Sequence, residues 1–410
     1  MRGIVGEDLT PDLVERLGRA AAIWSGRGRI FVGRDTRASG PELEDALARG
    51  IASAGGNAVV AGVLPTPAVA LLTLDLGCVI TASHNPPEYN GVKFFDRDGQ
   101  KLTDAQEEEI EALLDERPVG GGEIDHVGVA TDSYLEHVVE RFGSDLSGLE
   151  IAVDCANGAY SGLAPKAFTQ LGAELTTIGD DPNGTNINVG CGATDLRALQ
   201  ETVRAHGLDL GVAFDGDGDR MLAVDGNGDV VDGDQIVAIL ALHLGVEAVA
   251  VTSMTNLGFH RLMEERGIRT YVTDVGDRYV IEALREHGAL LGGEQSGHVI
   301  YLSGHVTGDG LVAALLLSGS LEGRTLAEAA AVMPRYPQAK EDVPVRSKEL
   351  PPAVLDEVAA RNEELHGTGR VLVRPSGTEP VVRVLAEAKT LREAESLCAT
   401  IVALVTRELG

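Results

Sequence analysis

Leu149-Glu150-Ile151-Ala152-Val153-Asp154 followed by Cys155-Ala156-Asn157-Gly158 is a short β-rich run that ends in a polar, glycine-containing loop. The same unit recurs at Arg29 to Gly33, after a helix, and at Ala248 to Thr252, before Ser253-Met254-Thr255-Asn256. Short apolar runs that alternate with helix-length segments are the pattern of an α/β sheet. Three such units predict three related α/β domains. The first helix is signalled by Thr10 and Pro11 as N-cap and first helical residue, with Leu13, Leu17, Ala20 and Trp24 at helical spacing behind them.

Gly120-Gly121-Gly122 precedes a helical run from Asp132 to Phe142 and reads as the passage from the first domain to the second. Asp225 to Asp234, rich in Gly and Asp, reads as a turn and the opening of a third. The pattern breaks again at Met333 to Pro337. The remainder, with strand-like Val371 to Val373 and Val381 to Leu385, reads as a small α+β unit. The expected domains are therefore 1–145, 146–231, 232–337 and 338–410.

Composition narrows the partners. The 410 residues carry 34 Lys plus Arg against 63 Asp plus Glu, a formal charge of -29, with 44% hydrophobic residues. At roughly 150 residues per domain this length predicts two to four units and excludes a single small fold. Charge this negative repels nucleic-acid backbones and anionic membrane surfaces, so a small molecule is the expected partner. Six lysines and 4% aromatics make an acidic, lysine-poor, alanine-rich surface. A cytosol of high salt favours such a surface, because screening over roughly 3 Å at 1 M removes most self-repulsion; a halophile is the expectation, with an ordinary acidic protein of a high-GC genome as the alternative. Cys78, Cys155, Cys191 and Cys398 form no Cys-x-x-Cys pair, which argues for a reducing compartment rather than a zinc site or disulfide framework. The most apolar stretch, Ile236 to Val251, is interrupted by His243 and Glu247, so a cytoplasmic chain without a membrane span is expected.

Four stretches could carry chemistry. Thr81-Ala82-Ser83-His84-Asn85-Pro86-Pro87 follows the strand-like Gly77 to Ile80, and its two prolines prevent a regular helix, so Ser83 stands on a loop. A hydrolase nucleophile is a weak reading, since Gly-x-Ser-x-Gly is absent; a structural turn is the plain alternative. Asp215-Gly216-Asp217-Gly218-Asp219-Arg220 follows the apolar run Leu210 to Phe214, and three alternating carboxylates with small spacers can converge on one hard divalent cation. An EF-hand needs Gly at position 6 and Glu at position 12, where Arg220 and Gly226 stand, so Mg2+ is preferred over Ca2+, with a solvated turn as the alternative. Gly292-Gly293-Glu294-Gln295-Ser296-Gly297-His298 offers an acceptor, a hydroxyl and a titratable donor suited to sugar hydroxyls. Arg374-Pro375-Ser376-Gly377-Thr378-Glu379-Pro380 combines an Arg fork, hydroxyls and free backbone N–H groups into a phosphate cradle or, equally, a hairpin turn.

In this order, the four stretches resemble the motifs of the α-D-phosphohexomutase family from end to end. The resemblance implies a heart-shaped α/β protein of four domains, three related α/β units and a C-terminal TATA-box-binding-protein-like α+β domain, with one motif from each around a central cleft. It further implies that Ser83 is a phosphoserine and that Mg2+ is held by Ser83 through its phosphate and by Asp215, Asp217 and Asp219. Arg220 and Lys93 would offset charge, Lys93 or His84 would serve as acid/base, and His298 would be a further proton-transfer group. Glu294 and Ser296 would grip sugar hydroxyls; Arg374, Ser376, Gly377 and Thr378 would hold the phosphate not being transferred. The implied reaction moves phosphate between C6 and C1 oxygens through a bisphosphorylated sugar, with hexose 1,6-bisphosphate as activator, in a monomer or homodimer whose C-terminal domain hinges.

Gln295, Thr307-Gly308-Asp309-Gly310 and Gly276-Asp277-Arg278-Tyr279-Val280 resemble the glucosamine-phosphate branch, with mannose or glucose phosphate as the alternative substrate and a noncatalytic sugar-phosphate binder as the other class. The family usually opens with Phe-Gly-Thr-Ser/Asp-Gly-Ile-Arg-Gly, whereas this chain begins Met1-Arg2-Gly3-Ile4-Val5. Arg2 is the substrate-binding candidate that remains of that segment, and a misassigned start or impaired activity is expected. Asp274 stands where many members have lysine, which removes one expected basic contact.

Overall fold

The computed structural model describes residues 1–376 and 380–410. Two compact units arise, one of residues 1–254 and 268–332, the other of 255–267 and 333–410.

The first unit is built on three sheets. The first runs in the order Arg2–Ile4, Tyr89–Phe95, Leu76–Ile80, Arg29–Arg34, Asn57–Val63, Ile124–His126. Its middle strands are parallel, and Tyr89–Phe95 turns back antiparallel against Leu76–Ile80. The second places Val230–Val231, Met221–Asp225, Leu210–Phe214, Glu150–Asp154 and Glu174–Ile178 side by side, with Leu210–Phe214 parallel to Glu150–Asp154. The third places Arg269–Thr273, Ala248–Thr252, Leu291–Gly293 and Val299–Tyr301 side by side. Central strands such as Leu76–Ile80, Leu210–Phe214 and Ala248–Thr252 are buried along their whole length, which is why they read as unbroken apolar runs. Thr10 caps the helix Pro11–Trp24 through its side chain, as its position suggests.

Parallel order has a consequence for function. Loops at the carboxyl ends of parallel strands are where open α/β sheets bind ligands. Ser83 follows Leu76–Ile80, Asp215 follows Leu210–Phe214, and Glu294 follows Leu291–Gly293, each at the carboxyl end of a strand in parallel pairing.

The second unit carries an antiparallel three-stranded sheet, Gln338–Pro344, Val381–Glu387, Arg370–Pro375, covered by Pro352–Leu365 and Leu391–Leu409. It also includes the helix Leu257–Glu265, which sequence spacing assigns to the preceding domain. Asn256 explains the grouping: its carboxamide donates to Tyr336 O at 2.8 Å and accepts from Tyr336 N at 3.0 Å. The strand Ile124–His126, beyond the Gly120–Gly122 passage, returns to the first sheet beside Asn57–Val63 and has no apolar signature because all three residues are exposed. No helix among the described residues is long and apolar enough to cross a membrane. All four cysteines are buried and free.

Candidate active site

Ser83 and the acidic loop meet inside the first unit. Ser83 Oγ donates to Asp215 Oδ2 at 2.6 Å and lies 3.2 Å from His84 Nδ1. Both Ser83 and Asp215 are buried. Two glycines allow the approach. A Cβ on Gly216 would fall 2.8 Å from the Ser83 carbonyl oxygen, and Gly218, at φ +78, leaves 2.4 Å between a Cβ and the ring of Tyr160.

The acids form one cluster. Ligand oxygens of Asp215, Asp217 and Asp219 all lie within 4.8 Å of one another. Asp217 Oδ2 accepts from the Thr66 hydroxyl at 2.7 Å and from Lys93 Nζ at 2.8 Å, while Lys93 stands 3.7 Å from Asp219 Oδ2. Arg220 Nε lies 3.8 Å from Asp219 Oδ1, and the Arg220 backbone N–H donates to Asp215 Oδ1. His298, on the loop after Leu291–Gly293, faces Asp219 at 3.7 Å through Nδ1 and Asp277 at 3.6 Å through Nε2. Lys101 closes this row by pairing with Asp277.

Charge states follow from these neighbours. Burial and the charges of Asp217 and Asp219 push the Asp215 carboxyl well above the usual range. Burial also opposes ionisation of Asp217 and Asp219, but Lys93 beside them holds both below their ordinary values. Lys93 is in turn raised, its burial outweighed by Asp217 and Asp219, so it stays cationic. His84 is pushed down to about 4 by burial and by the cations Arg220 and Arg2. Burial disfavours a charged His298, yet Asp219 and Asp277 outweigh it and raise the imidazole toward its charged form.

Among the described residues, two buried carboxylate oxygens, Asp217 Oδ1 and Asp219 Oδ1, have no hydrogen-bond donor. An unmet acceptor in the interior costs about 1–3 kcal/mol, more when charged, so this cluster is incomplete as a protein-only arrangement. Hard carboxylate oxygens converging at this spacing suit a divalent cation. The residues present therefore fit a metal.

The remaining candidates divide. Arg2, on the first sheet, donates to Asn85 Oδ1 at 3.0 Å and so joins the Ser83 loop. Glu294 accepts from Gly276 N at 3.1 Å, and Ser296 is exposed on the same loop. A cavity of about 360 Å3 opens beside Lys93, lined also by Lys101, Asp277, Arg278 and Tyr279. In the second unit, Arg374 lies opposite Arg383 on paired strands, and buried Ser376 donates its N–H to Val381 O at 2.9 Å. Gly377 and Thr378 lie outside the described residues. Sequence reasoning passed over Thr66, Lys101, Arg37 and Asn188, which reach the site from distant segments and sit in no motif. Asp277 stands in a stretch marked only by resemblance, and its contact with His298 has no local signal.

The phosphoglucomutase/phosphomannomutase alpha/beta/alpha domain I matches residues 1–118, domain II residues 132–228, domain III residues 232–336 and the C-terminal domain residues 336–404. A phosphoglucosamine mutase of Moorella thermoacetica is 48% identical, with 97% of this chain and 96% of that protein covered. One from Bacillus subtilis is 44% identical, with 100% and 98% covered. A crystal structure of a phosphoglucomutase/phosphomannomutase family protein from Burkholderia thailandensis has a TM-score of 0.86 at 27% identity, covering 100% of this chain and 97% of that one. These likenesses lend no support to the high-salt reading of the composition. With all four domains matched in order and relatives similar along its whole length, the chain belongs to the phosphoglucomutase/phosphomannomutase family, metal-dependent phosphohexomutases.

Proposed function

We propose that the chain interconverts glucosamine 6-phosphate and glucosamine 1-phosphate through a phosphoserine at Ser83 and a bisphosphorylated sugar. The carrying observation is the 2.6 Å approach of Ser83 Oγ to a buried carboxylate whose two neighbours hold unmet oxygens. Full-length similarity to phosphoglucosamine mutases supports the choice of sugar. Mg2+ held by Asp215, Asp217, Asp219 and the phosphoserine would offset the roughly −1.5 to −2 charge of that group.

The chain's own residues supply the rest. In the first step the bond from Ser83 Oγ to phosphorus breaks and one from a sugar oxygen forms. The proton leaving the sugar hydroxyl ends on Ser83 Oγ. His84, neutral at pH 7 and 3.2 Å from Oγ, can relay that proton. Lys93 is too firmly cationic to act as base, so of the two acid/base candidates it serves as fixed positive charge. His298, raised toward its charged form, is a donor to the sugar oxygens. Arg220 adds charge beside Asp219. The second step runs in reverse at the other end of the sugar, and a hexose 1,6-bisphosphate restores lost phosphoserine.

Glu294 and Ser296 are the grip on sugar hydroxyls, and Arg2 is a contact to substrate. Arg374 and Ser376, with Gly377 and Thr378, are the phosphate-holding group of the C-terminal domain. The labour divides by domain: 1–145 carries phosphate, 146–231 the metal, 232–337 the sugar, 338–410 the second phosphate. We assign the chain to the cytoplasm, in keeping with its four free cysteines, as a monomer or homodimer. Comparing kcat/KM for the 6-phosphates of glucosamine, glucose and mannose tests the substrate. The glucosamine ester should lead; a clear preference for a neutral hexose overturns that choice, and binding without turnover overturns the mutase.

A further inference from the structure

Ser83 has φ +52, the left-handed region that strains a residue with a Cβ. Such strain persists only where the surroundings over-determine it. The fully buried guanidinium of Arg37 fills the inside of this turn. It donates to the carbonyls of Ser83 at 2.9 Å, Asn85 at 2.8 Å and Tyr89 at 2.9 Å, and also to Pro86. Its Nε pairs with Asp35 at 2.9 Å. Asp35 accepts from the Thr81 hydroxyl at 2.7 Å, whose oxygen accepts the Ser83 N–H at 2.8 Å.

A second hand reaches the same turn from the segment before the acidic loop. Asn188 Nδ2 donates to Ser83 O at 2.9 Å and to Asn85 O at 3.3 Å. Asn188 is itself left-handed, at φ +59, and its N–H bonds Ala156 O at 2.9 Å, just beyond the strand Glu150–Asp154. Gly216 of the acidic loop packs on the same pair, since a Cβ there would lie 2.8 Å from both Ser83 O and Asn188 Nδ2. The carbonyls of Ser83 and Asn85 thus each accept both from Arg37, in the loop after Arg29–Arg34, and from Asn188, whose N–H is tied to the loop after Glu150–Asp154.

We infer that Arg37 and Asn188 are positioning residues, a clamp of donors from two loops far apart in sequence that keeps the strained turn aimed so that Ser83 Oγ meets Asp215. The inference rests on Ser83 being the phosphoryl carrier. It requires donors: an oxygen facing those carbonyls would repel them, so the isosteric Asn188→Asp must be worse than Asn188→Ala. Arg37→Lys keeps a charge for Asp35 but has no fork with which to bridge several carbonyls.

The test measures kcat, KM, thermal midpoint, intact mass and the phosphorus NMR resonance of the phosphoserine in the magnesium-loaded full chain. Asn188→Ala should lower kcat roughly tenfold with KM within about twofold, because a displaced reacting atom costs rate rather than uniform binding. Asn188→Asp should fall further, and both should shift the phosphorus resonance. Arg37→Lys, if it folds, should lose roughly a hundredfold; if it does not, the Asn188 pair decides. Wild-type kcat and an unmoved resonance in both Asn188 variants would overturn the clamp, as would an Asp variant that matches wild type. A wild-type protein that never carries phosphate on Ser83 would instead sink the functional reading beneath it.

Discussion

Asp309 and the trio Asp215, Asp217 and Asp219 are all buried, yet their surroundings differ in kind. Asp309 is completed by the protein. Tyr134 OH and Tyr160 OH each donate to it at 2.7 Å, His305 Nε2 lies at 2.9 Å, and the N–H groups of Leu311 and Val312 bond to Oδ1. It caps the helix Gly310–Gly319, where a carboxylate also meets the helix dipole. In the trio, one oxygen of Asp217 and one of Asp219 receive no donor among the described residues, and three acids share Lys93, Arg220 and His298. A buried carboxylate that the fold satisfies is a structural strut; one left open asks for a cation from outside.

Removing one acid from each region should break the comparison in opposite directions. Asp219→Asn should cost roughly a thousandfold in turnover, the scale of losing a preorganised electrostatic contact. Asp309→Asn should cost about 3 kcal/mol of stability, the scale of breaking a buried charged network, and keep turnover per folded molecule within a few fold. Urea melts and initial rates on both variants decide this; equal losses of activity would erase the distinction.

Magnesium sharpens the contrast. At a concentration about one hundred times its Kd, it should stabilise the wild type by about 2.7 kcal/mol. The same increment should appear in Asp309→Asn and vanish in Asp219→Asn. A thermal shift of equal size in all three proteins would place the cation elsewhere.

The pH dependence should carry opposite signs. Burial opposes ionisation of Asp309, but His305 and the two tyrosines outweigh it, so its carboxyl lies below the ordinary value when folded. That contribution is present above the unfolded carboxylate range and is lost as pH falls through the folded value. Asp215 is raised, so its contribution is complete below the unfolded range and is lost as pH rises through the folded value. In chelator, Asp215→Asn should therefore gain stability relative to wild type at neutral pH, and Asp309→Asn should lose less at low pH than at neutral pH. Thermal midpoints across pH test both signs.

Much of the fold was legible because its central strands are buried on both faces and announce themselves as apolar runs ending in Gly- and Asp-rich loops. The acidic cluster was legible for a local reason, since its three carboxylates lie within five residues. What stayed hidden is long-range. Ile124–His126 is an exposed edge of three residues without an apolar pattern, and Leu257–Glu265 groups with the C-terminal sheet through Asn256 and Tyr336, eighty positions apart. Arg37 meets the Ser83 turn across 46 positions and Asn188 across 105, so neither spacing nor composition marks them. Asp309 stood out only by resemblance, and its partners Tyr134 and Tyr160 come from segments far back in the chain.

Loading the magnesium-bound protein with a hexose 1,6-bisphosphate radiolabelled in its phosphates, then chasing with unlabelled glucosamine 6-phosphate, follows the phosphoryl group itself. Label should appear on the peptide containing Ser83 and discharge into sugar phosphate during the chase, with both events slowed roughly a thousandfold in Asp219→Asn. Label on another residue, or label on Ser83 that the sugar cannot remove, would contradict a serine-borne phosphoryl group kept transferable by a cation among the three acids.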